Sequence, residues 1–447
     1  MHIVQITPGA GAMYCGNCFR DNALVRELRR AGHEVTMVPL YLPLTLDEED
    51  ESAATPIFFG GISVYLEQKS NLFQRAPQWL RRLLASRKLL AWAGTRAAKT
   101  KAAEVGDMML SMLRGEDGRQ ARELDELIAW LKTQPKPDVV CLSNALLVGM
   151  ARKLKAELNA PVVCTLQGED AFLDGLPDSH RERAWQLLRE RSADVDHFIA
   201  PSRYFGDVMM RRLSLPPGKK SVVHNGINLD GYGDKWRGTG DTNAARNDFV
   251  SPVTRHPSLV IGYLARMSKD KGLDTLVETF IALKQRGNVA RLKLQIAGSC
   301  GPGDEPFVKS LRKRLAEAGY IGDVAFLPNL SRAEKIDFLR GLTVFSAPAL
   351  YGEAFGLYVI EAQAAGVPVV QPRHAAFPEI IEATGGGVLC EPGDVNSLAD
   401  KLEALLLNPS LAQTLGETGR RNTFEKFSVA AMTRDILRVF EIVNRKS

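Results

Sequence analysis

Short apolar runs rich in β-branched residues alternate along this chain with stretches whose apolar positions recur every three to four residues, the pattern of strands alternating with helices. The first run predicts a strand over His2–Thr7. A glycine-bearing loop follows to Cys18, then a helix over about Phe19–Ala31 stopped by Gly32, then a second strand at Glu34–Leu40. Further strands are expected at Asp138–Ser143, Pro161–Thr165, His197–Pro201 and Ser221–His224. The same opening then recurs: a strand at Ser258–Leu264, a polar loop, and a helix from about Leu273. Leu273, Leu276, Val277 and Phe280 share one face of that helix, and Gly287 ends it. Strands follow near Leu292–Ala297, Val324–Leu327, Thr343–Ala347, Pro368–Gln371 and Gly387–Cys390. Strands each followed by a helix build parallel sheets. The chain is therefore α/β, with two consecutive Rossmann-like domains.

Their boundaries follow from changes in the pattern. Trp236–Pro257 is rich in Gly, Asn, Thr, Asp and Arg without apolar periodicity, which places a linker at 236–257 between domains at 1–235 and 258–425. Residues 426–447 form a last helix, whose stripe of Met432, Ile436, Phe440 and Val443 is expected to pack back on the N-terminal domain. The stretch from about 65 to 132 is helical in composition and long for a connection between strands, so it reads as a helical insertion in the N-terminal domain. From Lys69 to Lys101 it carries nine basic residues and no acidic one. Two readings stand for it: a packed insertion with a solvated basic side, or a surface for anionic lipid or an anionic acceptor.

Composition narrows the class. With 45% hydrophobic and 24% charged residues in 447, the chain has ample core and is neither disordered nor collagen-like. The formal charge of +5 is small for a nucleic-acid binder, and the basic segment accounts for all of it. Six cysteines make no disulfide framework, which favours a reduced, cytoplasmic setting. Residues 1–19 lack a basic leader and read as strand and loop rather than signal peptide, and no apolar run reaches the ~18 residues of a spanning helix. The expected chain is soluble or at most peripheral on the inner face of a membrane.

The stretch with most chemistry is Tyr351-Gly-Glu-Ala-Phe-Gly-Leu-Tyr-Val-Ile-Glu-Ala-Gln-Ala-Ala-Gly-Val-Pro-Val-Val370. A strand ends near Pro348, a loop carries Glu353 at an exposed tip, and a helix runs from near Gly356 to Gly366. Free N–H groups at that helix start suit an anion or sugar hydroxyls. Glu361, half-buried beside Leu357, Ile360 and Ala364, needs a partner, and a ribose diol is a good one; Glu353 suits a hexose hydroxyl. Asp194-Val195-Asp196 matches a metal-binding string but precedes its strand, so it reads as structural. Cys15 and Cys18 form a lone Cys-x-x-Cys, read as two small residues in a tight loop, with redox or metal use as the other option.

Glu353 and Glu361 are separated by seven residues within E-A-F-G-L-x-x-I-E-A-x-A-A-G-x-P-V-V, which resembles the signature of retaining glycosyltransferases of family 4 (glycosyl transferases group 1) with the GT-B fold. Ile261-Gly-Tyr-Leu-Ala-Arg-Met-Ser-Lys-Asp-Lys-Gly272 is similar to the family's G-R-L…K-G motif, although Arg266 comes later after the glycine than usual. Ala200-Pro-Ser202, Val223-His-Asn-Gly-Ile-Asn228, Pro378-Glu379-Ile380, Gly387 and Pro392-Gly-Asp394 fit the same order. In Thr165-Leu-Gln-Gly-Glu-Asp170 the glutamine Gln167 stands where the family often has histidine, and it cannot act as a base near neutral pH.

The resemblance implies two Rossmann-like domains facing across a cleft, and transfer of a sugar from a UDP- or GDP-linked donor to an acceptor hydroxyl with retention. Arg266 and Lys271 would hold the diphosphate, Glu361 the ribose, and Glu353 with the Phe355–Gly356 backbone and Leu357 the sugar. Gly298 and the first loop at Gly11 would approach the donor closely, Gln167 would hydrogen-bond the donor sugar or an acceptor hydroxyl, and Asp170 would assist the transfer, Glu169 or Asp170 having a loop or capping role as the alternative. No cofactor, metal or nucleic acid is expected, the nucleotide sugar being a substrate. Competing readings are a GT-B glycoside phosphorylase and a non-catalytic sugar-nucleotide-binding or membrane-surface adaptor.

Overall fold

The computed structural model describes residues 1–9, 16–44, 48–59, 102–233 and 258–445. The basic segment Lys69–Lys101, Gly11, Cys15 and the linker 236–257 lie outside the described residues. In chain order the strands are β1 (His2–Thr7), β2 (Glu34–Pro39), β3 (Val139–Leu142), β4 (Val162–Thr165), β5 (His197–Ala200), β6 (Lys220–Val222), β7 (Val260–Leu264), β8 (Lys293–Gly298), β9 (Val324–Pro328), β10 (Val344–Phe345), β11 (Val369–Pro372) and β12 (Gly387–Cys390). The helices are α1 (Gly16–Arg30), α2 (Ala102–Arg114), α3 (Ala121–Leu131), α4 (Ala151–Leu158), α5 (Glu169–Asp174), α6 (Asp178–Ser192), α7 (Arg203–Leu213), α8 (Leu273–Arg286), α9 (Glu305–Glu317), α10 (Arg332–Arg340), α11 (Leu357–Ala364), α12 (Phe377–Thr384), α13 (Val395–Leu406), α14 (Pro409–Lys426) and α15 (Val429–Asn444).

The chain divides into two compact units, Met1–Gly226 with Val429–Ser447, and Ile227–Ser428. Each holds a six-stranded sheet among the described residues, ordered β2-β1-β3-β4-β5-β6 in the first and β12-β11-β10-β7-β8-β9 in the second. Every pairing is parallel. Helices cover both faces of such sheets, which is why β1, β3, β4, β7 and β11 are buried along their whole length. In the first unit Ile3, Met37, Val139, Cys141, Val163 and Ile199 form one face of the sheet. Leu24, Val25 and Leu28 of α1 pack there with Met432, Ile436, Val439, Phe440 and Val443 of α15. Each such side chain contributes roughly 1.5–3 kcal/mol of burial, so the last helix is an integral part of the first unit.

The strand expected over Thr343–Ala347 contracts to Val344–Phe345. Pro348 follows closely and has no N–H to give a ladder, and Ser346 is the last residue to donate across, to the Gly262 carbonyl at 2.9 Å. The part of the expected helical insertion that is described contains α2 and α3. Cys18, Cys141, Cys164 and Cys390 are buried. Burial pushes the Cys141 and Cys390 thiols up to about 12, which leaves them unreactive near neutral pH.

Candidate active site

The strand order of the second sheet fixes where a ligand can sit. From β7 the chain moves outward through β8 and β9, then returns to β10 on the other side of β7. The loops after β7 and β10 therefore diverge, leaving a crevice outside the carboxyl ends of these two strands. The first loop carries Arg266 and Lys271, the second Glu353, and α11 begins at its end.

Gly272 caps α8 with φ +72°, and a Cβ there would lie 2.0 Å from the Pro348 carbonyl oxygen. Only glycine permits this approach, and it sets Lys271 against the second loop. Lys271 Nζ donates to Glu353 Oε2 at 2.7 Å and to the Tyr351 hydroxyl, and it lies 4.5 Å from the centroid of the Tyr351 ring. The Tyr358 hydroxyl donates to the same Glu353 Oε2 at 2.8 Å. Burial holds the Tyr358 phenol well above its ordinary range, so it remains a proton donor. The loop-tip exposure expected for Glu353 is not found: its side chain is 11% exposed. The loop folds back on itself, Glu353 N–H donating to the Tyr351 carbonyl at 2.8 Å and Ala376 N–H to the Glu353 carbonyl at 3.3 Å, which turns the carboxylate inward.

Gly298, at the end of β8 with φ +130°, has its Cβ direction filled by the Ala265 carbonyl oxygen at 1.8 Å and so holds the β7 loop against β8. From β7 the Tyr263 hydroxyl donates to the Arg266 carbonyl in that loop at 2.8 Å. The Arg266 guanidinium pairs with Asp304, Nε donating at 3.0 Å and Nη2 at 2.8 Å. Burial opposes the Asp304 charge, yet Arg266 and the Gly301 N–H outweigh it and hold the carboxyl below its usual range. The Arg266 side chain is still 60% exposed, leaving most of its donors open. The partner of Glu361 is Lys335 of α10, whose Nζ donates to Oε1 at 2.6 Å. Phe355 is a core side chain whose ring lies 6.0 Å from that of Phe427, Gly356 caps α11 at φ +87°, and Leu357 is half-buried. Asp304, Lys335, Tyr351 and Tyr358 escape the motif reading; only Tyr351 and Tyr358 stand close enough in sequence to Glu353 to have been considered.

In the first unit Gln167 and Asp170 follow β4. Gln167 Oε1 accepts from Asn225 Nδ2 at 3.4 Å. Asp170 is half-buried on α5, where burial raises its carboxyl. Its neighbour Glu169 is buried and accepts from Ala145 N–H at 2.8 Å and Gln167 N–H at 2.9 Å, tying the loop after β3 to the loop after β4. Burial pushes the Glu169 carboxyl up to about 7. A buried Arg20–Asp21 pair, 2.8 Å apart, fastens α1 to the same edge, with Ser143 donating to Asp21. Asp194 and Asp196 lie before β5, Asp194 bonded to Arg152 at 3.1 Å and Asp196 to the Val162 N–H at 2.8 Å and to Lys155.

Family models match two stretches, "Glycosyltransferase Family 4" over residues 105–230 and "Glycosyl transferases group 1" over residues 245–422, together well over half of the chain. The chain belongs to the family 4 glycosyltransferases. Among its relatives, D-inositol 3-phosphate glycosyltransferase of Streptomyces avermitilis is 28% identical over 248 residues, 55% of this chain and 52% of the relative. The capsular polysaccharide biosynthesis glycosyltransferase CapM of Staphylococcus aureus is 30% identical over 176 residues, 38% of this chain and 43% of the relative. The chain thus spans about half the length of the curated relatives it matches. Its fold is GT-B: sucrose-phosphate synthase from Thermosynechococcus elongatus superposes with a TM-score of 0.69 at 18% identity over 100% of both chains. Anabaena HepE, solved in complex with UDP and glucose, gives 0.64 at 14% identity over 99% of each. No described helix is long and apolar enough to cross a membrane.

Proposed function

We propose that this glycosyltransferase moves a sugar from a UDP- or GDP-linked donor to an acceptor hydroxyl, with retention of anomeric configuration and without a metal. The observation that carries the reading is the contact between Lys271 and Glu353, a cation and a carboxylate from two different loops meeting in the crevice at the β7–β10 switch. A nucleoside diphosphate sugar needs positive charge for the diphosphate and an acceptor for sugar hydroxyls, side by side. Lys271 has three N–H donors, of which Glu353 and Tyr351 take two, so the third serves a phosphate oxygen. Arg266, mostly exposed beyond its Asp304 pairing, serves another. Glu361 keeps Oε2 for a ribose hydroxyl while Lys335 holds Oε1. Structural neighbours solved in complex with UDP and with UDP-glucose support this donor class.

In the transfer the bond from the anomeric carbon to the diphosphate oxygen breaks and a bond to the acceptor oxygen forms on the same face. The acceptor proton passes to the departing diphosphate, whose charge Lys271 and Arg266 stabilise. The acceptor belongs to glycan, glycolipid or polysaccharide synthesis, and the basic segment Lys69–Lys101 meets an anionic membrane surface on the cytoplasmic side. A panel of UDP- and GDP-sugars, scored first by thermal shift and then by nucleoside diphosphate release with candidate acceptors and with chelator present, tests the reaction. Release that Glu353→Gln abolishes in a folded protein is expected; full release by that variant refutes the assignment. Sedimentation with neutral and anionic vesicles tests the surface, and equal binding to both refutes it.

A further inference from the structure

Glu353 is held in a way that limits what it can read. A carboxylate oxygen offers about two lone-pair directions. On Oε2 both are taken, by Lys271 Nζ at 2.7 Å and by the Tyr358 hydroxyl at 2.8 Å, whereas neither bond falls on Oε1. The Tyr358 ring cannot swing away to release its bond. It is buried between Phe345 and Phe377, with ring centroids 6.1 and 6.3 Å off, and its hydroxyl is aimed at the crevice from the first turn of α11. The carboxylate is therefore fixed from two sides, by a cation on the β7 loop and by a phenol on α11.

Resting on the function proposed above, we infer that Tyr358 is a positioning residue that makes Glu353 a reader of one donor-sugar hydroxyl, through Oε1 alone. A carboxylate free to turn would grip two neighbouring hydroxyls with its two oxygens. This one presents a single acceptor at a fixed angle, and with 11% of its side chain exposed little water competes for it. A charged acceptor in such a place discriminates strongly against a sugar lacking the hydroxyl, because the carboxylate is then left without its partner.

The test measures the affinity of the full chain for UDP, GDP, UDP-glucose and GDP-mannose, and then for the complete set of monodeoxy analogues of the tighter-bound sugar nucleotide. In the wild type, loss of one particular hydroxyl is expected to weaken binding by about 10- to 100-fold and loss of any other by less than about 3-fold. Tyr358→Phe keeps the ring packing and is expected to hold the nucleoside diphosphate within about 2-fold of wild type while the penalty at that one position shrinks to about 3-fold. A merely structural role would weaken all ligands together and leave the pattern intact. Equal penalties at two positions in the wild type, an unchanged pattern in Tyr358→Phe, or loss of the nucleoside diphosphate by that variant each overturns the inference. A wild-type chain that binds neither UDP nor GDP overturns the proposed function itself, a distinct result.

Discussion

The Lys271–Glu353 pair sets up a double-mutant cycle that asks whether the two crevice loops hold each other. The side chains are 19% and 11% exposed, so neither regains full hydration when the other is removed. Losing one member of a fully buried pair costs about 3–5 kcal/mol. The residual exposure, and the Tyr358 hydroxyl that stays on Glu353 Oε2, bring the expectation for Lys271→Met to about 2–3 kcal/mol. Glu353→Gln keeps the shape and leaves the ammonium on the Tyr351 hydroxyl, an expected loss of about 1–2 kcal/mol. The double variant has no unpaired charge and is expected about 2 kcal/mol below wild type, which puts the coupling near ~2 kcal/mol. Urea unfolding of the full chain, followed by far-UV circular dichroism near neutral pH, gives the four stabilities. If the single losses add to within about 0.5 kcal/mol of the double, the pair does not join the loops and the geometry of the site is misread.

Glu169 gives a pH dependence. Its carboxyl sits at about 7 in the folded chain against an ordinary 4.5, so between those values the folded state keeps a proton that the unfolded state has lost. Stability is therefore expected to fall by about 3 kcal/mol as pH rises from about 4.5 to 7, and Glu169→Gln to remove that part of the slope in parallel unfolding curves. Gly272→Ala, whose Cβ would lie 2.0 Å from the Pro348 carbonyl oxygen, is expected to cost more than about 3 kcal/mol. Gly287→Ala, at φ +73° with nothing within 4 Å, is expected to cost about 1 kcal/mol; thermal midpoints of the two compare them. Lys335→Met frees the Glu361 carboxylate to turn, and the preference for UDP over its 2′-deoxy analogue, read by calorimetry, is expected to fall by about 5-fold.

What the sequence shows and hides follows the range of each interaction. β7, α8 and Gly287 are legible because apolar spacing and a C-terminal glycine are local signals. The seven-residue gap from Glu353 to Glu361 and the Arg266–Lys271 loop are legible as linked motifs. The partners are not: Arg266 finds Asp304 across 38 positions and Glu361 finds Lys335 across 26, and no local pattern announces either pair. Glu353 looks like a loop tip because it stands among Tyr, Gly and Ala, whereas its burial depends on Tyr358, five residues on, and on the Ala376 N–H, which the fold alone brings into reach. Glu361 looks half-buried and in need of a partner, and so it is; the partner is a lysine in the protein and leaves one oxygen over.

In the proposed function the crevice at the carboxyl ends of β7 and β10 takes a nucleoside diphosphate against Lys271. Phosphorus NMR titration of UDP and GDP with the full chain tests it most directly. At least one of the two is expected to show saturable movement of its phosphate signals, with affinity about 10-fold weaker in Lys271→Met. Signals that stay in place for both nucleotides, or a Lys271→Met titration that matches wild type, would contradict the account.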